Sequence, residues 1–530
     1  MTDQEAAEAI ATGRTSLGIE LGSTRIKACL VGGHHEVLAT GGYDWENRLV
    51  DGLWSYSLDE VWTGLQASVA ALLADAQARQ GVRPTTFGAL GISAMMHGYL
   101  AFDESGELLV PFRTWRNTNT SPAAAELTAA FGFAIPLRWS IAHYDQALLD
   151  AEPHVRDVAV LTTLAGYVHW RLTGRTVLGV GDASGMFPID PATRTYDARM
   201  VAAFDALAEP RRPGGPGILD LLPRVLVAGT DAGTLTASGA ALLDPSGTVC
   251  AGIPLCPPEG DAGTGMVATG SVAPRTGNVS AGTSIFAMVV LEKPLSRLHP
   301  EIDVVTTPAG DAVAMVHCNN GASELAAWAG LFADFAARLG RTAPSDEVFG
   351  ALLRAALDGP ADAGGLLVYN YLAGEPITGL DSGRPLVVRT PDSAFTLPAF
   401  MRAQVYGAFA TLSLGMRVLA DEGVGLDAMF AHGGVFRTPG VAQRLLAAAI
   451  GAPVAVGETA SEGGAWGMAV LAAYLGSGQA LGTYLGERVF AGAAVDVVEP
   501  DPADVAGFAA YLERYRVGLA VERAATEALR

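Results

Sequence analysis

The sequence is short of cysteine, short of basic residues and without a long apolar run, and each shortage removes a class of protein. Its four cysteines, Cys29, Cys250, Cys256 and Cys318, make no Cys-x-x-Cys pair and have no histidines at zinc spacing. A disulfide scaffold and a structural zinc site are therefore not expected, and the thiols read as reduced core or near-core groups. Lysine and arginine number 34 against 55 aspartates and glutamates, a formal net charge of -21. That balance argues against a polyphosphate lattice such as DNA, while a local anion site for a small ligand stays compatible with it. The longest uncharged stretch, Gly463 to Gly486, is broken by glycines, Ser477 and Gln479, and its compact apolar part, Ala465 to Leu475, is too short to span a bilayer. Met1 to Arg14 lacks a positive start followed by an apolar run, so no signal peptide is expected and the cytoplasm is the default location.

What the chain does have is length and glycine. At 530 residues, half of them hydrophobic and 64 of them glycine, it exceeds one ordinary core and implies at least two large domains of enzyme-like composition. Ser16 to Leu21 reads as a buried strand, Gly22, Ser23 and Thr24 as a turn, Arg25 to Val31 as a second strand and Glu36 to Thr40 as a third. A dinucleotide fold would place a helix directly after the glycine turn. A hairpin follows here instead, which points to an actin-like ATPase architecture whose hairpin tip cradles phosphates. Apolar spacing predicts a helix over Asp59 to Gln80, a strand over Phe87 to Ser93, and helices over Val441 to Ile450 and within Asp501 to Arg530, the last with Phe508, Leu512, Tyr515 and Leu519 on one face.

Candidate chemistry concentrates between Pro258 and Phe286. One loop is expected at Glu259 to Thr264, where Asp261 between small residues is a reasonable general base, although Gly-Asp-Ala-Gly is also an ordinary tight turn. A second, Val279 to Ser284, offers backbone N–H groups and two hydroxyls to phosphate oxygens. Asp231, in a similar Gly-Thr-Asp-Ala-Gly-Thr setting, is the rival base. Met96 and His97 follow a predicted strand at the end where open α/β sheets bind ligands, or His97 is hydrogen-bonded in a turn. Trp115, Arg116, Asn117, Thr118 and Asn119 combine a flat apolar face with amides, the mixture that sugar hydroxyls need, or form a solvated loop with one anchoring tryptophan.

Taken in order, these motifs resemble the FGGY family of carbohydrate kinases, from about Leu17 to Leu475, and most of all its xylulokinase-like branch, through Met96, His97 and Gly98 followed by an apolar strand and Asp103. The resemblance implies an α/β protein of two actin-like, ribonuclease H-like ATPase domains with a cleft between them. Residues 15–270 would be the sugar-binding domain, 271–490 the nucleotide-binding domain and 491–530 a C-terminal packing helix. It implies ATP and Mg²⁺ as cofactors, a small sugar as substrate, no nucleic acid and no membrane, and leaves a homodimer open. Asp261 matches the family's general base and Met96 with His97 its sugar-binding pair. Gly22, Ser23 and Thr24 match its first phosphate loop, with Lys27 facing the nucleotide. Gly282 and Thr283 match its second phosphate loop, Gly321 its nucleotide-side glycine, and Gly433 with Gly434 its adenosine contact. Gly374 and Glu375 fit a segment whose role is left open.

Two departures stand out. Glu20 replaces the usual Asp at the first hairpin; with Asp261 it would hold Mg²⁺ through water. The usual Trp-Asn-Asp-x-Arg segment reads Trp115, Arg116, Asn117, Thr118, Asn119, with amides in place of its carboxylate and guanidinium, which puts the sugar's identity in question more than the reaction. The expected reaction is ATP-dependent phosphorylation of a sugar hydroxyl, on a ketose such as a pentulose. The alternatives are a nucleotide- and sugar-binding regulator that has lost turnover and an actin-like ATPase acting on protein.

Overall fold

Runs of apolar residues buried on both faces build the first sheet. The computed structural model describes residues 2–457, 463–493 and 495–529. In it β1 (Ser16–Leu21) and β2 (Arg25–Val31) pair antiparallel around the three-residue turn at Gly22 to Thr24, with Glu20 opposite Lys27. β3 (Val37–Asp44) extends the meander, β4 (Ala89–Ala94) lies parallel to β1, and the short β5 (Glu259–Gly260) lies parallel to β4. The sheet order is β5-β4-β1-β2-β3, a hairpin meander joined to parallel strands as in ribonuclease H-like folds.

The helix α1 (Leu58–Gln80) begins where Ser57 accepts the Glu60 N–H at 3.1 Å and ends at Gly81 in the left-handed conformation. Val61, Leu65, Val69, Leu72 and Leu73 bury its apolar face. Close packing on β3 is possible because Gly41 has no side chain: a Cβ there would lie 2.0 Å from the Ser68 carbonyl.

The second sheet repeats the design. β6 (Thr276–Ala281) and β7 (Ile285–Val290) form an antiparallel hairpin around Gly282, Thr283 and Ser284. With β8 (Ala312–Cys318), β9 (Ala428–His432), β10 (Val454–Gly457) and β11 (Val495–Val498) the order is β8-β7-β6-β9-β10-β11, β9 running parallel to both β6 and β10.

The chain divides into two compact units. The first extends through Val272 and includes Asp303–Val313 and the described residues of Ser461–Gly492; the second comprises Ala273–Ile302 and the described residues of Ala314–Ala460 and Ala493–Arg530. Residues 303–313 and 463–492 cluster with the first unit, whereas the sequence expectation drew 271–490 as the second domain and 491–530 as a packing helix. Backbone contact explains the second of these returns. A Cβ on Gly18 of β1 would sit 2.2 Å from the Ala465 carbonyl, and one on Gly467 would sit 2.1 Å from the Thr264 carbonyl, so helix Gly463–Tyr474 lies directly on the first sheet.

In the second unit, α3 (Leu397–Asp421) and the terminal α4 (Pro502–Ala528) pack together, with Phe508, Tyr511, Leu512 and Tyr515 buried and Leu519 half-buried. Among the described residues no helix is long and apolar enough to cross a membrane.

Candidate active site

In the first unit the predicted residues gather at the ends of β1, β4 and β5. The expected loop at Glu259 to Thr264 is instead β5 running into helix α2 (Asp261–Thr269), with extended Gly260 as its N-cap and Asp261 as its first residue. Asp261 keeps part of its surface exposed. Its Oδ1 accepts the Met96 N–H at 3.2 Å and the Ala262 N–H at 3.0 Å. Burial raises the proton affinity of this carboxyl, and those N–H groups pull the other way.

Met96 and His97 lie beside it, both buried. A Cβ on Gly260 would sit 2.1 Å from Met96 Cγ, so this glycine lets Met96 reach the β5–α2 junction. His97 has φ +68°, its Nδ1 is 3.2 Å from the Gly185 carbonyl, and its ring stacks on buried Trp139 with centroids 6.2 Å apart.

Glu20, at the end of β1, belongs to the same group. Burial foremost, and then the charge of Asp261, push its carboxyl up to about 7, while Lys27 opposes the shift. A Cβ on Gly464 would lie 2.2 Å from Glu20 Oε1 and 2.9 Å from Thr264 Oγ1, and Thr264 is 3.2 Å from Ser93 Oγ. The charge of Asp261 adds to the cost of ionising buried Glu20 and Lys27 offsets part of it, a setting that a divalent cation would relieve. Among the described residues no three His, Cys, Asp or Glu side chains form a metal cage. That donor set suits a Mg²⁺ that keeps several waters.

The Gly22 to Thr24 turn is braced from behind. Trp45 Nε1 donates to the Gly22 carbonyl at 2.7 Å, Tyr56 OH to the Ser23 carbonyl at 2.6 Å and the Trp45 N–H to the Thr24 carbonyl at 3.1 Å. Trp45 and Tyr56 stack with centroids 4.2 Å apart. These bonds occupy carbonyl oxygens and leave the Ser23 and Thr24 amides and hydroxyls for an anion.

Two sequence expectations need correction or choice. Asn117 is a structural clamp: its Oδ1 accepts the Trp54 N–H at 2.9 Å and its Nδ2 donates to the Trp54 carbonyl at 2.8 Å and the Thr114 carbonyl at 3.1 Å. An amide so occupied has spent both N–H groups and keeps only one lone pair of Oδ1 for a ligand. Trp115 packs half-buried on the core, and it is Arg116 that lies over an aromatic ring, 3.7 Å from the centroid of Trp54. The rival base Asp231 is 68% exposed, 3.8 Å from Arg175, and turns back to the Gly233 N–H. Asp261, not Asp231, adjoins Met96.

In the second unit the hairpin tip and the glycines come together. The Gly321 N–H donates to the Thr283 carbonyl and the Ala322 N–H to the Gly282 carbonyl, each at 2.8 Å. Gly433, at φ +114°, would with a Cβ strike the Ala281 carbonyl at 2.2 Å, whereas Gly434 meets open space. Gly282, Thr283, Gly433 and Gly434 are exposed and Gly321 is buried behind them.

Sequence comparison identifies the family of the chain. The N-terminal domain of the FGGY family of carbohydrate kinases matches residues 15–261 and its C-terminal domain residues 277–476. The chain belongs to the FGGY family of carbohydrate kinases. Its relatives include the xylulose kinase of Escherichia coli (strain K12), 26% identical over 306 residues, and that of Bacillus subtilis (strain 168), 22% identical over 435 residues. The first match covers 53% of this FGGY chain and only 56% of the relative; the second covers 79% and 80%. Solved structures of the same fold include a xylulose kinase from Rhodospirillum rubrum, with TM-score 0.77 and 19% identity over 96% of this chain and 99% of that one. A gluconate kinase from Lactobacillus acidophilus gives TM-score 0.75 and 19% identity over 95% and 97%.

Two buried acids packed near Asp261 in this FGGY-family chain are not singled out by the sequence. Asp182 is fully buried, its Oδ2 accepting the Thr163 hydroxyl at 2.5 Å, and Glu259 accepts the Gly181 N–H at 3.3 Å and the Asp182 N–H at 3.0 Å. Burial raises both carboxyls, and Asp261 adds to the shift at Asp182. A signal was present: Gly181, Asp182, Ala183 repeats the triplet Gly260, Asp261, Ala262.

Proposed function

We propose that this FGGY kinase transfers the γ-phosphoryl group of ATP to a hydroxyl of a ketose such as a pentulose, with Asp261 as general base. One observation carries the reading: a carboxylate of raised proton affinity, held by backbone N–H groups, adjoins the Met96–His97 pair. A base for a hydroxyl group needs such basicity and such fixed geometry. The sugar O–H bond breaks and its proton passes to Asp261. The freed oxygen bonds to the γ-phosphorus as the bond to the β,γ-bridging oxygen breaks, and ADP leaves. Positioning and charge neutralisation do most of the work in such a transfer.

Met96 and His97 hold the sugar; the Gly22 to Thr24 turn with Lys27, and Gly282, Thr283, Gly321, Gly433 and Gly434 hold the nucleotide. Glu20 and Asp261 would hold Mg²⁺ through water, and the bound ion neutralises charge on the phosphate oxygens.

The test is a panel of pentuloses, hexuloses, tetruloses and polyols with ATP, read as ADP release. Ketose-dependent release supports the reading. Ketose binding by calorimetry without such release would instead make the protein a regulator on a kinase scaffold.

A further inference from the structure

Glu375 is fully buried in the second unit, between strand Leu367–Tyr369 and the turn Pro376–Thr378, and the reaction above gives it no part. Its Oε2 accepts from the Asn320 N–H at 3.3 Å and from Asn320 Nδ2 at 3.1 Å, while its Oε1 is buried without a partner among the described residues. Burial pushes this carboxyl up to about 7, and hydrogen bonding from Asn320 foremost, then from the Asn319 and Ile377 N–H groups, pulls it down. A buried carboxyl is costly unless it is bonded, and the two Asn320 contacts are the foremost of the bonds that make the position tolerable.

Asn320 is gripped on its other side as well. Its Oδ1 accepts the Leu372 N–H at 2.8 Å and the Ala373 N–H at 2.9 Å. Asn370 Nδ2 donates to the Asn320 carbonyl at 3.1 Å and the Gly321 carbonyl at 2.9 Å, and Asn319 Nδ2 to the Gly374 carbonyl at 2.8 Å. The next residue presses on the hairpin tip: a Cβ on Gly321 would lie 2.5 Å from the Gly282 carbonyl and 2.8 Å from the Thr283 carbonyl. Glu375, Asn320, Gly321 and Gly282–Thr283 are thus linked by consecutive short contacts, from the Glu375 carboxyl to the Gly321 N–H on the Thr283 carbonyl.

We propose that Glu375 is a positioning residue for the nucleotide: through Asn320 and Gly321 it sets the shape of the Gly282–Thr283 tip, and so the affinity for the polyphosphate of a nucleoside triphosphate. The inference rests on the assignment of that tip to ATP made above.

The test uses the full chain and two calorimetric titrations, one with ADP and one with the ketose, beside steady-state kinetics. Glu375→Met keeps the length of the side chain and removes its acceptors. The Kd for ADP and the KM for ATP are expected to rise about tenfold or more, the loss of charge-assisted buried bonds. The ketose Kd and kcat at saturating ATP are expected to stay within about threefold of the parent. Glu375→Gln, which can put an oxygen where Oε2 stood, is expected to restore most of the ADP affinity. A nucleotide Kd unchanged in Glu375→Met overturns the inference, as does an equal loss of nucleotide and ketose affinity, which marks a structural role only. Should Glu375→Met fail to fold, Asn320→Asp sets a carboxylate against Glu375 while keeping an acceptor for Leu372 and Ala373, and it is read by the same two titrations. A parent protein that binds no ADP removes the nucleotide reading itself, and this inference with it.

Discussion

Glu20 faces Lys27 across the β1–β2 hairpin and lies within the electrostatic reach of Asp261. Its folded-state carboxyl titrates at about 7 against an ordinary 4.5, so the folded protein binds this proton more tightly than the unfolded chain. The stability this adds is complete below the ordinary value and disappears as pH rises through about 7. Part of the side chain is exposed, which limits the effect to on the order of 1–2 kcal/mol. In urea unfolding without metal, Glu20→Gln should lose less stability than the parent between pH 5 and pH 8. Parallel pH slopes would show that Glu20 is not the group responsible. Gly433 makes a different kind of demand. Its φ of +114° and the Ala281 carbonyl 2.2 Å from a would-be Cβ mean that Gly433→Ala must deform the backbone beside β6, at about 1–3 kcal/mol. ADP affinity should fall about ten- to hundredfold with ketose affinity kept, and unchanged ADP titrations would take Gly433 out of the nucleotide site.

Between elements, α3 and α4 meet at a buried charge. Arg402 is 2% exposed and pairs with Asp504 at 2.8 Å, while Arg444 reaches the same carboxylate at 2.6 Å. Asp504→Ala leaves Arg402, among the described residues, with the carbonyls of Ala356 and Leu357 and the Tyr406 hydroxyl, a loss of about 3–5 kcal/mol. Equilibrium unfolding of the second unit should show it, and a change below about 1 kcal/mol would mean the pair is solvent-screened. At this scale much was legible beforehand. β1, β2 and helix Val441–Ile450 fall where apolar spacing and turn residues set them, because burial on both faces or on one stripe leaves its period in the sequence. Helix α2 was not legible. Its run of Gly, Asp and Thr favours turns locally, and its helical form goes with backbone contact from Gly467, nearly 200 residues later. The same distance in sequence hid the return of 463–492 to the first unit.

Across the whole molecule, the two sheets share an antiparallel hairpin with a three-residue Gly-led tip and a parallel strand beside its first member. That repetition was visible in Gly22-Ser23-Thr24 and Gly282-Thr283-Ser284. The use of Asn117 as a clamp and the burial of Asp182 beside Glu259 were not, since an amide or a carboxyl reads the same in sequence whether it holds a backbone or a ligand. Which sugar the protein takes is a property of side-chain placement of this kind, and relatives of one fold bear the names of different substrates. The most direct measurement is the turnover of Asp261→Asn with saturating ATP and ketose, beside calorimetry of both ligands. The account expects kcat to fall by about 10² to 10⁴ with both affinities nearly intact; a kcat within tenfold of the parent would contradict it.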